Sequence, residues 1–267
     1  MPRGLLHFVV LPAMLNIGQP SSWHIFIETC IIGTFLLIFV SYHFYLALRV
    51  HTKPHTTTIG QNYAIRRAWS HSMMCQSAKQ IVAVQTIRNA LMASSILAST
   101  SIALNTATFV FVVNFENIPG IIDLNLFGTD RIKPAYKLLA LTVSFLIAFF
   151  CYMQSIRLNN HASFQICLMP DQTIYVDADS VADKLNSSAN FFTLGTRCYF
   201  LAFLIILWLF GPLPPLVGVL GLVPVLYYVD IRSAKKIVRR INRTDLERPT
   251  LQNLAPDFTN LKSSTVS

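Results

Sequence analysis

Ionisable and amide side chains near the ends of long apolar segments are the residues of this sequence most suited to chemistry. They are His43, Arg88, Asn89, Arg157, Asn159, Asn160, Arg197 and Asp230. Guanidinium groups bind phosphate and carboxylate through paired donors. A polar ring with excess positive charge therefore predicts a site for an anionic headgroup or a phosphate-bearing solute. The alternative is that the arginines only extend to the membrane surface, and that Arg197 and Asp230 form a structural pair.

A second pair of charged residues lies at the opposite ends of the apolar segments. Glu28 is one turn inside the first segment, and Lys137 begins the third. An unpaired charge within a membrane span is costly. Because the two residues share a predicted depth, the sequence predicts an ion pair between them.

Catalytic and metal chemistry have no comparable support in the sequence. His51 and His55 are separated by Pro54, which disfavours a helix that would bring them to one metal ion. The five cysteines are scattered and form no CxxC motif, so free thiols are expected. No nucleotide-binding loop, nucleophile elbow or zinc-protease motif occurs. We therefore expect no catalytic residue, no metal and no cofactor, and an enzyme is the least favoured class.

Composition identifies the environment that positions these residues. The chain is 53% hydrophobic and only 12% charged, whereas soluble domains are about 25% charged. Its net charge of +9 is spread over residues that flank apolar blocks, and no zinc-finger spacing accompanies it. This pattern predicts an all-α integral membrane protein that contacts anionic lipids at its cytosolic face and binds no nucleic acid.

Five apolar segments are long enough to cross a bilayer. The predicted spans are residues 25–48, 89–113, 136–156, 194–210 and 213–229, between a leader at 1–24 and a basic cytosolic tail at 231–267. The last two are separated by Gly211-Pro212-Leu213-Pro214-Pro215, because proline ends one helix and favours the start of another. A single kinked span and a re-entrant hairpin are the alternatives, since each helix of the pair has only about 17 residues.

Charge asymmetry sets the orientation of these spans. Residues 49–88 contain six lysines and arginines and no acidic residue, whereas residues 114–134 contain two basic and three acidic residues. The positive-inside rule places the first segment in the cytosol and the second outside. The basic tail also belongs beside the anionic cytosolic leaflet. Residues 194–229 must therefore cross twice, and the amino terminus lies outside.

Two cytosolic segments predict amphipathic helices, at residues 62–80 and 177–192. The first places Ile65, Trp69, Met73 and Gln76 on one face, so it either lies in the headgroup plane or packs on the bundle. The second span carries many small and hydroxyl residues, which favour close helix packing. We expect it to be the central helix of the bundle, with a polar conduit for a solute as the alternative.

Several of these segments resemble the plant and bacterial membrane proteins known as domain of unknown function 599, the plant branch more closely. The matching segments are SYHFYL at 41–46, TTTIG at 56–60, AVQTIRN at 83–89, SIRLNN at 155–160, LWLFGP at 207–212 and VPVLY at 223–227. The resemblance covers about residues 25–232. The resemblance implies a small multi-span membrane protein. It assigns no activity and no catalytic residue to the chain. The chain departs from the pattern in its longer leader and in Pro214-Pro215.

Two function classes follow from these features. The favoured one is a non-enzymatic protein that binds anionic lipid or assembles with a second copy or partner membrane helices, which fits the small-residue span and the basic tail. The alternative is a small-solute or ion transporter or channel, which fits the hydroxyl residues and the broken hairpin. The sequence does not specify a substrate or an organelle.

Overall fold

A computed structural model of the protein describes residues 22–114, 134–168, 176–232 and 234–236, and every element in these ranges is helical. The α-helices are α1 (Ser22–Thr52), α2 (Thr58–Met74), α3 (Gln80–Val113), α4 (Pro134–Gln165), α5 (Ala178–Leu209) and α6 (Leu213–Tyr227). Short 3-10 turns precede α2 and α3, and a π-helical turn at Tyr228–Arg232 follows α6. The leader up to residue 21 and the tail beyond residue 236 lie outside the described residues.

Five helices are long and apolar enough to cross a membrane, which confirms the predicted number of spans. These stretches are Thr29–Thr52, Gln80–Val113, Ala135–Gln165, Ala178–Leu209 and Leu213–Lys236. Many of their large apolar side chains are exposed, including Leu37 at 67% and Val217 at 70%. Uniformly hydrophobic helices with exposed apolar side chains are typical of proteins whose surface contacts lipid. The chain is therefore an integral membrane protein.

The region at residues 194–229 forms two helices that are joined at the predicted glycine. Gly211 has a φ of 132°, a conformation that only glycine adopts readily. α5 ends just before this residue, and Pro212 caps the start of α6. The α5 helix has 32 residues and is therefore about 48 Å long. It exceeds a hydrocarbon core of about 30 Å, because the predicted fourth span, residues 194–210, continues a helix that begins at Ala178.

The spanning helices pack in the order α3, α4, α5, α6, α1, and α2 packs across α5. The expectation that α3 is the central helix is wrong. Only 11% of its apolar stretch is buried, against 44% in α4. The reason is that one face of α3, with Ala83, Ser94, Ala98 and Ser101, is buried, while most of its other small residues are exposed.

The α4 helix packs closely on α5. Tyr152 of α4 is fully buried, and a methyl group added at Gly195 of α5 would lie 2.9 Å from its ring. A side chain at position 195 is therefore excluded by steric overlap. This close approach aligns the two helices over their full length and brings Ser155 beside Ser188.

The two predicted amphipathic helices differ from the observed ones in their limits. Residues 177–192 and the fourth span form one helix, α5, because no glycine or proline interrupts residues 178–194. α2 begins at Thr58, since the Thr57 hydroxyl accepts a hydrogen bond from the Gly60 N–H at 3.2 Å. Its buried residues include Ser70 and Met74, whereas Ile65 is 62% exposed. The buried face is thus rotated from the predicted one.

The orientation of the spans stays a prediction, and inserted epitope tags test it. A tag at Gly120 should be accessible from outside intact cells. Tags at His55 and after Ser267 should become accessible only after permeabilisation, because the basic segments stay beside the cytosolic leaflet. A tail tag that is accessible from the same side as the Gly120 tag would contradict the two crossings of residues 194–229.

Candidate functional site

A buried ion pair joins α5 to the segment that follows α6. Nη2 of Arg197 lies 2.5 Å from Oδ2 of Asp230, and the two side chains are only 11% and 9% exposed. The Tyr42 hydroxyl of α1 donates to the same Oδ2 at 2.8 Å. Two donors thus satisfy one carboxylate oxygen, as a buried charge requires.

The π-helical turn at Tyr228–Arg232 places Asp230 in this cluster. Such turns widen a helix locally and often occur at functional sites. The same turn holds α2, because the Thr58 hydroxyl donates to the Val229 carbonyl at 2.8 Å. Gln61 adds a bond from its amide to the Ala234 carbonyl at 2.9 Å. The end of α6 is therefore bonded to α1, α2 and α5.

His43 lies beside the ion pair with one unused ring nitrogen. Its Nδ1 is 2.7 Å from the Phe39 carbonyl. Because a carbonyl can only accept, Nδ1 carries the hydrogen, and Nε2 of the neutral ring is an acceptor. Nε2 is buried without a partner, as is Nη1 of Arg197. The His43 ring lies 5.3 Å from the Tyr42 ring between their centroids.

A cavity of about 370 Å³ lies between α2, α3, α4 and α5, within the size range of small-molecule sites. Trp69, Ile87, Leu185 and Phe192 form much of its apolar wall. None of the described residues that line it is acidic. The cavity is at the level of Ser155, close to the predicted cytosolic end of the third span.

Arg66 is the one cation among the lining residues. Its Nη1 donates to the Asn186 Oδ1 at 3.1 Å, and no carboxylate within the described ranges pairs with it. Burial lowers the pKa of Arg66. The next residue, Arg67, is 62% exposed and bonds both oxygens of Asp179 at 2.7 Å. Of these two neighbouring arginines, only Arg66 lacks a carboxylate partner among the described residues.

The polar side chains that α3, α4 and α5 contribute to the cavity differ in the number of hydrogen bonds that they make. The Ser155 hydroxyl lies 3.3 Å from that of Ser94 and 3.0 Å from that of Ser188, and Ser188 also donates to the Ser155 carbonyl. Asn159 is only 4% exposed. Its amide lines the cavity and makes no hydrogen bond with any group that the structure describes. Its amide is therefore available to a molecule in the cavity.

The structure separates the residues of the predicted polar ring. His43, Arg197 and Asp230 lie in the ion-pair cluster, and Asn159 lies in the cavity. The other four are exposed on their helices, and they are Arg88, Asn89, Arg157 and Asn160. α3 begins at Gln80, so Arg88 and Asn89 lie well inside a helix and not at its end.

Lys137 is buried at the opposite end of the bundle, at 1% exposure. Its Nζ donates to the Trp208 carbonyl at 2.9 Å and lies 5.3 Å from the Trp208 ring centroid. A cation at the last carbonyls of α5 is favoured by the helix dipole. The side chain of Glu28 lies outside the described residues, so the predicted pair with Lys137 stays a prediction.

Residues 30–235 match the family model described as "protein of unknown function, DUF599". The chain belongs to the DUF599 family. Neither a curated protein nor a solved structure shows a significant match to this DUF599 protein. The five cysteines of the DUF599 protein are free thiols, as predicted. Within the described ranges, no three His, Cys, Asp or Glu side chains come close enough to hold a metal ion.

Sequence reasoning missed two residues of the DUF599 sites. Tyr42 looked like an ordinary aromatic residue of a span, although it adjoins His43. Arg66 looked like one of several surface cations, because its predicted helix face was rotated. The one available signal was that Arg66, Ser70 and Met74 recur every four residues on α2, which marks one helix face.

We expect replacement of Arg197 by Gln to destabilise the purified protein, since the buried Asp230 carboxylate would lose its cation. Removal of one partner of a buried pair costs about 3–5 kcal/mol. Thermal unfolding in detergent measures the effect. The matched control is Arg67→Gln, which removes an exposed pair and should leave the melting temperature almost unchanged. Equal melting temperatures for both variants would contradict the anchoring role of Arg197.

Proposed function

We propose that this protein is a non-enzymatic membrane protein that binds anionic lipid of the cytosolic leaflet. The observation that carries the proposal is Arg66, a partly buried cation without a carboxylate partner at an apolar cavity. A cation in this environment gains from an anionic partner. Lipid supplies both the anion and apolar chains.

The surroundings of Arg66 support the same function. Lys53 and Arg88 are exposed at the predicted cytosolic end of the bundle, and no acidic residue occurs from residue 49 to residue 88. Exposed cations beside a leaflet attract anionic headgroups by about 1 kcal/mol each. They raise the local concentration of anionic lipid, and Arg66 provides the specific contact.

Enrichment of anionic lipid around the purified protein tests this function. The protein is exchanged into mixed phosphatidylglycerol and phosphatidylcholine with identical acyl chains, and bound lipid is measured by native mass spectrometry. Arg66→Gln should lower the preference for phosphatidylglycerol about tenfold, because a charge-assisted hydrogen bond contributes about 1.5 kcal/mol or more. Arg67→Gln removes an equal charge that Asp179 already neutralises, and it should change the preference much less. Equal lipid preference in all three proteins would refute the proposal.

A second candidate, a proton or small-ion transporter, is favoured by buried polar atoms inside the spans. His43 Nε2, Arg197 Nη1 and Asn105 Oδ1 have no hydrogen-bond partner among the described residues. Unsatisfied polar groups within a membrane are costly and often mark ion pathways. The three belong to α1, α5 and α3.

Flux assays separate the transporter from the lipid-binding protein. Proteoliposomes loaded with a pH-sensitive dye would report proton movement, and chloride efflux is measured in parallel. A transporter predicts fluxes that Asn105→Leu lowers at least tenfold and that Thr100→Ala, an exposed change on the same helix, preserves. Wild-type fluxes equal to those of empty liposomes would eliminate this candidate.

A further inference from the structure

We propose that the cavity between α2, α3, α4 and α5 binds a single-chain amphiphile whose anionic head, a carboxylate or a phosphate, bonds to both Arg66 and Asn159. The inference rests on the proposed lipid-binding function. It goes further in naming the site, the number of chains and the second residue that holds the head.

The size of the cavity matches a single hydrocarbon chain. Its volume of about 370 Å³ lies near the lower end of the range of small-molecule sites, so it holds one chain and a small head but not both chains of a diacyl lipid. The occupant is therefore an amphiphile with one chain.

The charges at the cavity select an anionic head. Arg66 has one hydrogen bond, to the uncharged Asn186, so most of its donors are free for a bidentate contact. No acidic residue lines the cavity to compete. A neutral head would leave the arginine uncompensated.

Asn159 is the second, independent indication of a ligand. Its amide is 4% exposed, lines the same cavity and has no partner among the described groups. The neighbouring serines of the back wall already bond one another, so they do not account for the amide. An amide donor that lines the same cavity as Arg66 suits an oxyanion that accepts from both.

The remaining wall suits a hydrocarbon chain. Ile87, Leu185 and Phe192 line it together with the small Ala90, Ala93 and Ala189, which leave room where larger side chains would fill the space. The residues Ala90, Ser155 and Phe192 lie near the predicted cytosolic ends of three spans. At this depth an amphiphile keeps its chain in the bilayer and its head at the interface.

Equilibrium binding of radiolabelled probes tests the site in the full-length protein, held in phosphatidylcholine nanodiscs with empty nanodiscs subtracted. The probes are dodecanoate, dodecyl phosphate and the uncharged dodecanol. We expect saturable binding of at least one anionic probe, at least tenfold tighter than that of dodecanol. The tighter of the two anionic probes identifies the head as carboxylate or phosphate.

Paired variants separate the head contacts from the chain contacts. Arg66→Gln and Asn159→Asp should each weaken binding at least tenfold, while Arg67→Gln and Asn160→Asp, the exposed neighbours, should weaken it less than twofold. Arg66→Lys keeps the charge but lacks the paired donors of a guanidinium group. Its affinity for the probes should therefore lie between those of the wild type and Arg66→Gln. Ala93→Phe fills the cavity and should abolish binding without changing any charge. Thermal unfolding of each variant shows that a loss of binding occurs in folded protein.

The outcomes distinguish this inference from the function on which it rests. If Arg66→Gln loses phosphatidylglycerol enrichment but Asn159→Asp and Ala93→Phe bind probes like the wild type, the protein binds lipid only at its surface and the cavity site is wrong. Dodecanol binding as tight as that of the anionic probes would also overturn the inference. If neither enrichment nor probe binding depends on Arg66, both proposals fail.

Discussion

The fold depends on the high free energy of an unpaired charge in lipid. At Asp230 the chain avoids this by pairing the carboxylate with two donors. Its carboxylate accepts from Arg197 of α5 and Tyr42 of α1, and both bonds end on one buried oxygen. The π-helical turn brings Asp230 inward, and the carbonyl of Val229 in that turn also holds α2. A residue near the end of the last span thus links the first span, the fourth span and α2.

The same electrostatic constraint gives a different result at the cavity between α2, α3, α4 and α5. Asp230 and Arg197 neutralise each other, so their cluster needs no further charge. Arg66 has no such partner within the described ranges, and the Asn159 side chain that lines the same cavity makes no hydrogen bond with a described group. The first cluster stabilises the bundle, while the second has donors left for another molecule. This difference, and not the number of cations at the cytosolic end, distinguishes an anchor from a binding site.

The sequence predicted the membrane class, the five spans and the turn at Gly211, because hydrocarbon thickness and proline act on contiguous residues. It did not predict that α2 begins at Thr58, because a capping hydroxyl sets that limit. It also did not predict that the helix starting near Asp177 continues into the fourth span, because this depends on the absence of a helix breaker. It also placed α3 at the centre, because small residues favour packing but do not show which face packs. The cavity could not be predicted from the sequence, because Arg66 and Asn159 lie more than ninety residues apart in the chain. They line one cavity only through tertiary packing.

The excess length of α4 and α5 has a mechanical consequence. Each helix has 32 residues and is therefore about 18 Å longer than the hydrocarbon it crosses. The bilayer can shift along these helices or tilt them at a small energetic cost, through hydrophobic mismatch. A thicker bilayer covers more of the region that holds Arg66, and a thinner one leaves it in water. The composition of the surrounding membrane thereby sets how strongly that guanidinium is hydrated.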